Sequence, residues 1–324
     1  MRVHILDDWF DTLRKLPCFD LLHRHQVTVW TDHAPDMATL AQRLSDAECL
    51  VLFRERTKVT RDLLRHLPDL RLVSQRGAFP HVDVAACSDH GVLLCSHSGG
   101  DGANHAAAEL TLALMLAAMR QLPQQMASAK SGNWQMGVGR SLRGRTLGLY
   151  GYGRIGRVVA GHARALGMRV IWWASEAGRA RALADGETVA VSRQAFFAEC
   201  DIVSLHQRLT AQTRATISAD DLAQMSPRSL LVNTARAELI APGALLAALN
   251  AGRPGMAAVD VFDHEPLTDA SGPLLSHPSL LATPHIGFVT EDELDRQFTD
   301  IFQQVNAYAD GVPINMVNPQ VYAP

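Results

Sequence analysis

Short apolar runs alternate with helix-spaced segments along almost the whole chain. In the first 98 residues the runs fall at 3–6, 27–30, 49–53, 70–74 and 92–95, and stretches such as 37–44 and 61–67 carry apolar residues at helical spacing. Runs of this length, bounded by polar turns, suit strands buried on both faces. Their alternation with helices predicts a parallel α/β sheet. Gly99-Gly100-Asp101-Gly102 marks a boundary, followed by an alanine- and leucine-rich helical pattern over 104–120 and a more polar one to about 130. So little polar face remains on the first of these that it must be buried on most sides. Packing against another subunit is the expectation, and a place deep in the fold the alternative. Strand-like runs then resume at 146–150, 170–173, 201–206, 230–234, 256–262 and 280–283, and a last helix is predicted over 292–309.

The run at 146–150 leads into Gly151, Gly153 and Gly156 at G-x-G-x-x-G spacing, then a helical stretch over 154–166 and a second run at 170–173. In such a strand–helix–strand unit the first glycine permits the tight turn. The second lets backbone approach a pyrophosphate, and the third lets helix pack close to strand. The first helical N–H groups, at Arg154 and Ile155, and the positive end of the helix dipole would face the phosphates. Alone, the glycine spacing fits any tight turn. In this context it points to a dinucleotide.

At 324 residues the chain has room for two domains, and 47% hydrophobic with 19% charged residues describes a globular protein with a large core. A net charge of −3 offers no basic field, which argues against nucleic acid. The five cysteines form no C-x-x-C pair and have no histidines at zinc spacing, so no metal site is expected and a reducing compartment is. The N-terminus lacks an uninterrupted apolar core, and the most apolar stretch, 106–119, is too short to span a bilayer and carries Glu109. A cytoplasmic protein without a membrane segment is the expectation.

Polar residues at the tips of parallel strands converge on one crevice. Arg236, Glu265 and His285 occupy such tips. An arginine can hold a carboxylate by paired hydrogen bonds, and a histidine can protonate a carbonyl oxygen. A neighbouring glutamate favours the charged imidazole. Each also has a plain reading: a surface charge, a turn residue before Pro266, a satisfied histidine after Pro284. The loop Gln75-Arg76-Gly77-Ala78-Phe79-Pro80 follows another strand tip.

The wording GYGRIG (151–156), DIVSLHQRLTAQT (201–213), LLVNTAR (230–236), AAVDVFDHEPL (257–267) and ATPHIGF (282–288) resembles the D-isomer-specific 2-hydroxyacid dehydrogenases over nearly the whole length. The resemblance implies Arg236 as substrate-carboxylate anchor, His285 as acid/base and Glu265 as its partner. It implies that Thr234, Ala235 and Asp260 lie near the nicotinamide, and it adds His206 to the cofactor-binding set. The implied fold is two Rossmann-like or flavodoxin-like parallel-sheet domains. A substrate domain (1–98 and 289–324) would receive a cofactor domain (99–288) as an insertion. Family members are typically dimers, which fits 104–130 as the homodimer region.

Two departures matter. The second strand of the dinucleotide unit ends at Ala174-Ser175-Glu176, where NAD-preferring relatives place an acid. Losing that acid removes repulsion against a 2′-phosphate; Ser175 could donate to one, and Arg179 and Arg181 add positive charge. The cofactor is therefore read as NAD(P), leaning to NADP. The substrate loop reads Gly77-Ala78-Phe79-Pro80-His81 instead of the usual Asp-Asn ending. Its Gly77 and Ala78 N–H groups are candidates for the substrate carboxylate, with Phe79 and Pro80 as pocket wall. Arg54 either faces the pocket or is a surface charge. The resulting expectation is reduction of glyoxylate, hydroxypyruvate or a similar small 2-oxo acid. Oxidation of a formate- or phosphite-like anion and a corepressor-like dinucleotide-sensing protein are the rivals.

Overall fold

The computed structural model describes residues 1–97, 105–267 and 271–322. The predicted boundary at 99–102, and Asn104 at the head of the predicted helix, lie outside them. The chain divides into two compact units, Met1–Gly102 with Thr290–Pro324, and Ala103–Val289.

In the first unit five strands, β1 Arg2–Ile5, β2 Gln26–Val29, β3 Cys49–Val51, β4 Leu72–Arg76 and β5 Leu93–His97, form a parallel sheet in the order β2-β1-β3-β4-β5. Leu50, Leu52, Val73 and Leu94 enter one core with Leu63, Leu64 and Leu67. The Glu291–Ala309 helix lies against β4 and β5 and buries Leu294, Phe298, Ile301, Phe302 and Val305. The strand expected over 49–53 ran long: Leu52 and Phe53 are buried, yet the ladder of β3 stops at Val51.

The second unit holds β6 Thr146–Tyr150, β7 Arg169–Trp173, β8 Ile202–Leu205, β9 Leu230–Asn233, β10 Met256–Val259 and β11 Leu280–Ala282, parallel in the order β11-β10-β9-β8-β6-β7. Alternate residues serve opposite faces, as the period of two in a strand requires. Leu147, Leu149, Ile202, Leu230 and Val232 pack under the His105–Arg120 and Arg154–Ala165 helices. Tyr150, Val203, Leu205, Leu231 and Val259 pack with Phe196, Phe197, Leu222 and Leu245 on the other side. Here β10 ends at Val259, short of the expected 262.

Most of the apolar surface of the His105–Arg120 helix lies in its own unit, the alternative weighed from sequence. Ala106, Ala107, Ala108, Leu114, Met115, Ala118 and Met119 are buried within their own unit. Only a stripe through Ala113 and Leu116 stays exposed. All five cysteines are buried and free. Among the described residues no helix is long and apolar enough to cross a membrane, and no cluster of three His, Cys, Asp or Glu side chains is arranged to hold a metal ion.

Candidate active site

The three glycines after β6 meet different constraints. Gly151 has φ +112°, and a Cβ there would sit 2.8 Å from the His206 backbone carbonyl. A Cβ on Gly156 would press to 3.1 Å against the Trp172 ring, so any larger residue here would push the helix or that ring outward by a few tenths of an ångström. Gly153 has an ordinary extended φ of −127°, and a Cβ would meet nothing closer than His206 O at 3.9 Å. The space before Gly153 is therefore open. Among the described residues no side chain caps the Arg154–Ala165 helix that it begins, and the first turn carries no acid. An open, uncapped helix start after a glycine turn is a fitting cradle for a dinucleotide pyrophosphate.

His206 walls this loop with its backbone while its ring turns to Ser204 Oγ at 2.9 Å. Burial pulls its pKa down to about 4, so the ring is neutral near pH 7. At the tip of β7, Ala174 is buried and Ser175 Oγ accepts the Gly178 N–H at 3.3 Å, which leaves its own O–H free to donate. The two nearby arginines separate in role. Arg179 donates to Ala174 O at 2.7 Å and lies over the Trp173 ring. Arg181 reaches the glycine loop, its Nη2 lying 3.4 Å from Tyr152 O.

Arg236, Glu265 and His285 come together at the tips of β9, β10 and β11. Glu265 Oε1 accepts the Phe262 N–H at 2.8 Å, and its Oε2 pairs with His285 Nδ1. Burial alone would raise the Glu265 carboxyl. The hydrogen bond and charge of His285, the Phe262 N–H and the Arg236 charge outweigh it and hold the carboxyl below the usual range. With Nδ1 bound to the carboxylate, Nε2 is the nitrogen left for a substrate oxygen.

Asp260, expected beside the nicotinamide, has its oxygens occupied by the turn that carries His285. Its Oδ1 accepts Thr283 Oγ1 at 2.6 Å and the Ile286 N–H at 2.9 Å, and Oδ2 accepts the Gly287 N–H at 2.8 Å. Burial raises this carboxyl, although the three donors and the His285 charge pull the other way. The clamp is needed because His285 sits at φ +54°, a conformation costing a non-glycine residue about 1 kcal/mol or more. Asn233 does the same for Arg236: its Oδ1 accepts the Ala235 N–H and its Nδ2 donates to Arg236 O. Thr111 Oγ1 donates to Ala107 O at 2.7 Å, so in its 2.8 Å contact with Thr234 the Thr234 hydroxyl donates. Sequence reasoning missed both residues. Asparagine at a strand end is a known turn signal, whereas nothing near Thr111 announces its partner.

In the first unit, Gly77 follows β4 with φ +91° and Arg54 Nη1 lies close to it, 3.7 Å from where a Cβ would be. The Gly77 N–H does not remain free as expected: it donates to His97 O at 2.9 Å. Ala78 keeps an N–H without a partner among the described residues. Phe79, expected as pocket wall, is half-buried and packs against the core. Arg56, also missed, is pressed between Trp9 and Phe53 with its guanidinium pushed down to about 10 by burial.

A family model for the D-isomer specific 2-hydroxyacid dehydrogenase NAD binding domain matches residues 112–287. D-3-phosphoglycerate dehydrogenase of Methanocaldococcus jannaschii is 35% identical over 86% of this chain and 53% of its own length. The chain thus spans about half the length of that curated relative. Hydroxypyruvate reductase of Thermotoga maritima is 32% identical over 94% of this chain and 97% of its own. A solved oxidoreductase from Ralstonia solanacearum superposes with a TM-score of 0.94 at 43% identity, covering 100% of this chain and 98% of that one. With its NAD(P)-binding unit matched by the family model and relatives aligned along nearly its full length, the chain belongs to the D-isomer-specific 2-hydroxyacid dehydrogenase family.

Proposed function

We propose that this protein reduces a small 2-oxo acid, glyoxylate or hydroxypyruvate first, to the D-2-hydroxy acid. The observation that carries the proposal is the Glu265–His285 pair lying within the field of Arg236. The bound nicotinamide cofactor supplies the hydride. Arg236 holds the substrate carboxylate, His285 Nε2 gives a proton to the oxygen, and Glu265 stabilises the imidazolium before that transfer. Arg54 and the Ala78 N–H, at strand tips of the first unit, are our candidates for further substrate contacts.

The proposed cofactor is NADPH in preference to NADH. At the β7 tip Ala174 offers no carboxylate to a ribose 2′-hydroxyl, Ser175 keeps a free O–H, and Arg181 points to the glycine loop. The proposed assembly is a homodimer through the helical region at 104–130. A second reading is a 2-hydroxy acid with an additional anionic group, such as the phosphoglycerate of the relatives. The Arg54 guanidinium beside Gly77 favours it.

Initial rates of reduction of glyoxylate and hydroxypyruvate with NADPH and NADH, and of oxidation of 3-phosphoglycerate with NADP+ and NAD+, test these readings together. The expectation is fast glyoxylate turnover with NADPH. His285→Ala should lose at least a hundredfold in kcat while the NADPH dissociation constant moves less than twofold. Unchanged turnover in that variant would end the acid/base assignment.

A further inference from the structure

The first unit has a polar cavity of about 480 Å³ far from the Gly77 loop. It opens where the parallel strands begin: Glu48 precedes β3, Arg71 precedes β4, and Arg24 and His25 lead into β2. Tyr308 and Ala309, at the last turn of the Glu291–Ala309 helix, close one side. From Arg71 to Gly77 the chain runs the length of β4, roughly 20 Å at the rise of a strand. A small molecule bound here cannot touch Arg54 or Ala78.

Most of the polar groups facing this cavity are already satisfied. Glu48 accepts the Arg2 N–H at 2.7 Å and lies 3.5 Å from the Arg2 guanidinium. Arg24 is paired with Asp310 at 2.7 Å and also donates to Asn306 O. His25 Nε2 meets Asn306 Oδ1 at 2.9 Å, and burial lowers its pKa. Arg71 differs. Its hydrogen bonds run from Nη1 to the carbonyls of Pro68 and Leu70, and among the described residues no carboxylate pairs with it. The Tyr308 hydroxyl has no hydrogen-bond partner among the described residues either. Its ring packs on Tyr322, and the Arg71 charge opposes the rise that burial gives its pKa. One cavity thus holds a guanidinium without a counter-charge and an unused O–H donor, which together match an oxyanion.

We propose that this cavity binds a small oxyanion, phosphate or carboxylate, between Arg71 and Tyr308. Calorimetric titration of the 324-residue chain, with its dinucleotide site first saturated by NADPH, tests this with inorganic phosphate and with acetate as probes. Saturable binding of phosphate alone would identify a phosphoryl ligand, and of acetate as well a carboxylate. Arg71→Met should weaken binding at least tenfold and Tyr308→Phe severalfold. Arg71→Lys, which keeps the charge, should retain most of it, and 2-oxo acid turnover should not change in any of the three. Absence of saturable binding, or equal binding in Arg71→Met and Tyr308→Phe, would overturn the proposal.

Discussion

At the residue scale, chemistry here depends on side chains that never meet the substrate. Arg236, Glu265 and His285 could be nominated from type and position, because strand tips of a parallel sheet are where such groups converge. Asp260 was legible only as a residue of the site. Its clamp depends on amides 26 and 27 residues further along, and no local pattern encodes that distance. Asp260→Asn would present an amide N–H₂ to a set of donors, leaving at least one buried donor unpaired at a cost of about 1–3 kcal/mol. The expected outcome is a lower Tm by several degrees and a kcat reduced at least tenfold, with little change in NADPH affinity. Thermal unfolding and single-turnover rates check it; a variant with native Tm and kcat would show that His285 holds its place without the clamp.

At the scale of elements, the strands were legible because strands buried on both faces appear as uninterrupted apolar runs. Their ends were not, since Leu52 and Phe53 remain apolar after the β3 ladder has stopped. Short helices such as Ala219–Gln224 were not named, although Ser218 and Asp221 form a capping box that sequence displays. The glycine turn gives a sharper test. Gly153→Ala places a methyl in open space at an unstrained φ, so Tm should shift by less than about 2 °C. The methyl would nonetheless occupy the cradle before the helix, and NADPH affinity should fall at least tenfold. Gly151→Ala should instead unfold the unit at lower temperature, because its methyl meets backbone at positive φ. Equal NADPH dissociation constants for wild type and Gly153→Ala would show that the cradle does not receive the cofactor.

At the scale of the whole molecule, the Leu122–Lys130 helix buries none of its residues, and Leu116, Leu122, Met126, Trp134, Met136 and Val138 are all exposed. These exposed apolar side chains are the ones we propose as the dimer contact. Sedimentation velocity should show a dimer, and Leu116→Asp combined with Met126→Asp should convert it to monomer with the fold retained; a wild-type monomer would remove the dimer proposal. The discontinuous first unit carries one more implication. The residues that cover β4 and β5, Phe298, Ile301 and Phe302 among them, come off the ribosome some 190 residues after the first segment of that unit has ended. At ordinary synthesis rates that is a wait of roughly ten to forty seconds. The intervening unit is contiguous and can complete its core within that interval. The birth order of the polypeptide therefore leaves the older sheet unfinished, with an apolar face for chaperones to shield, until its final helix arrives.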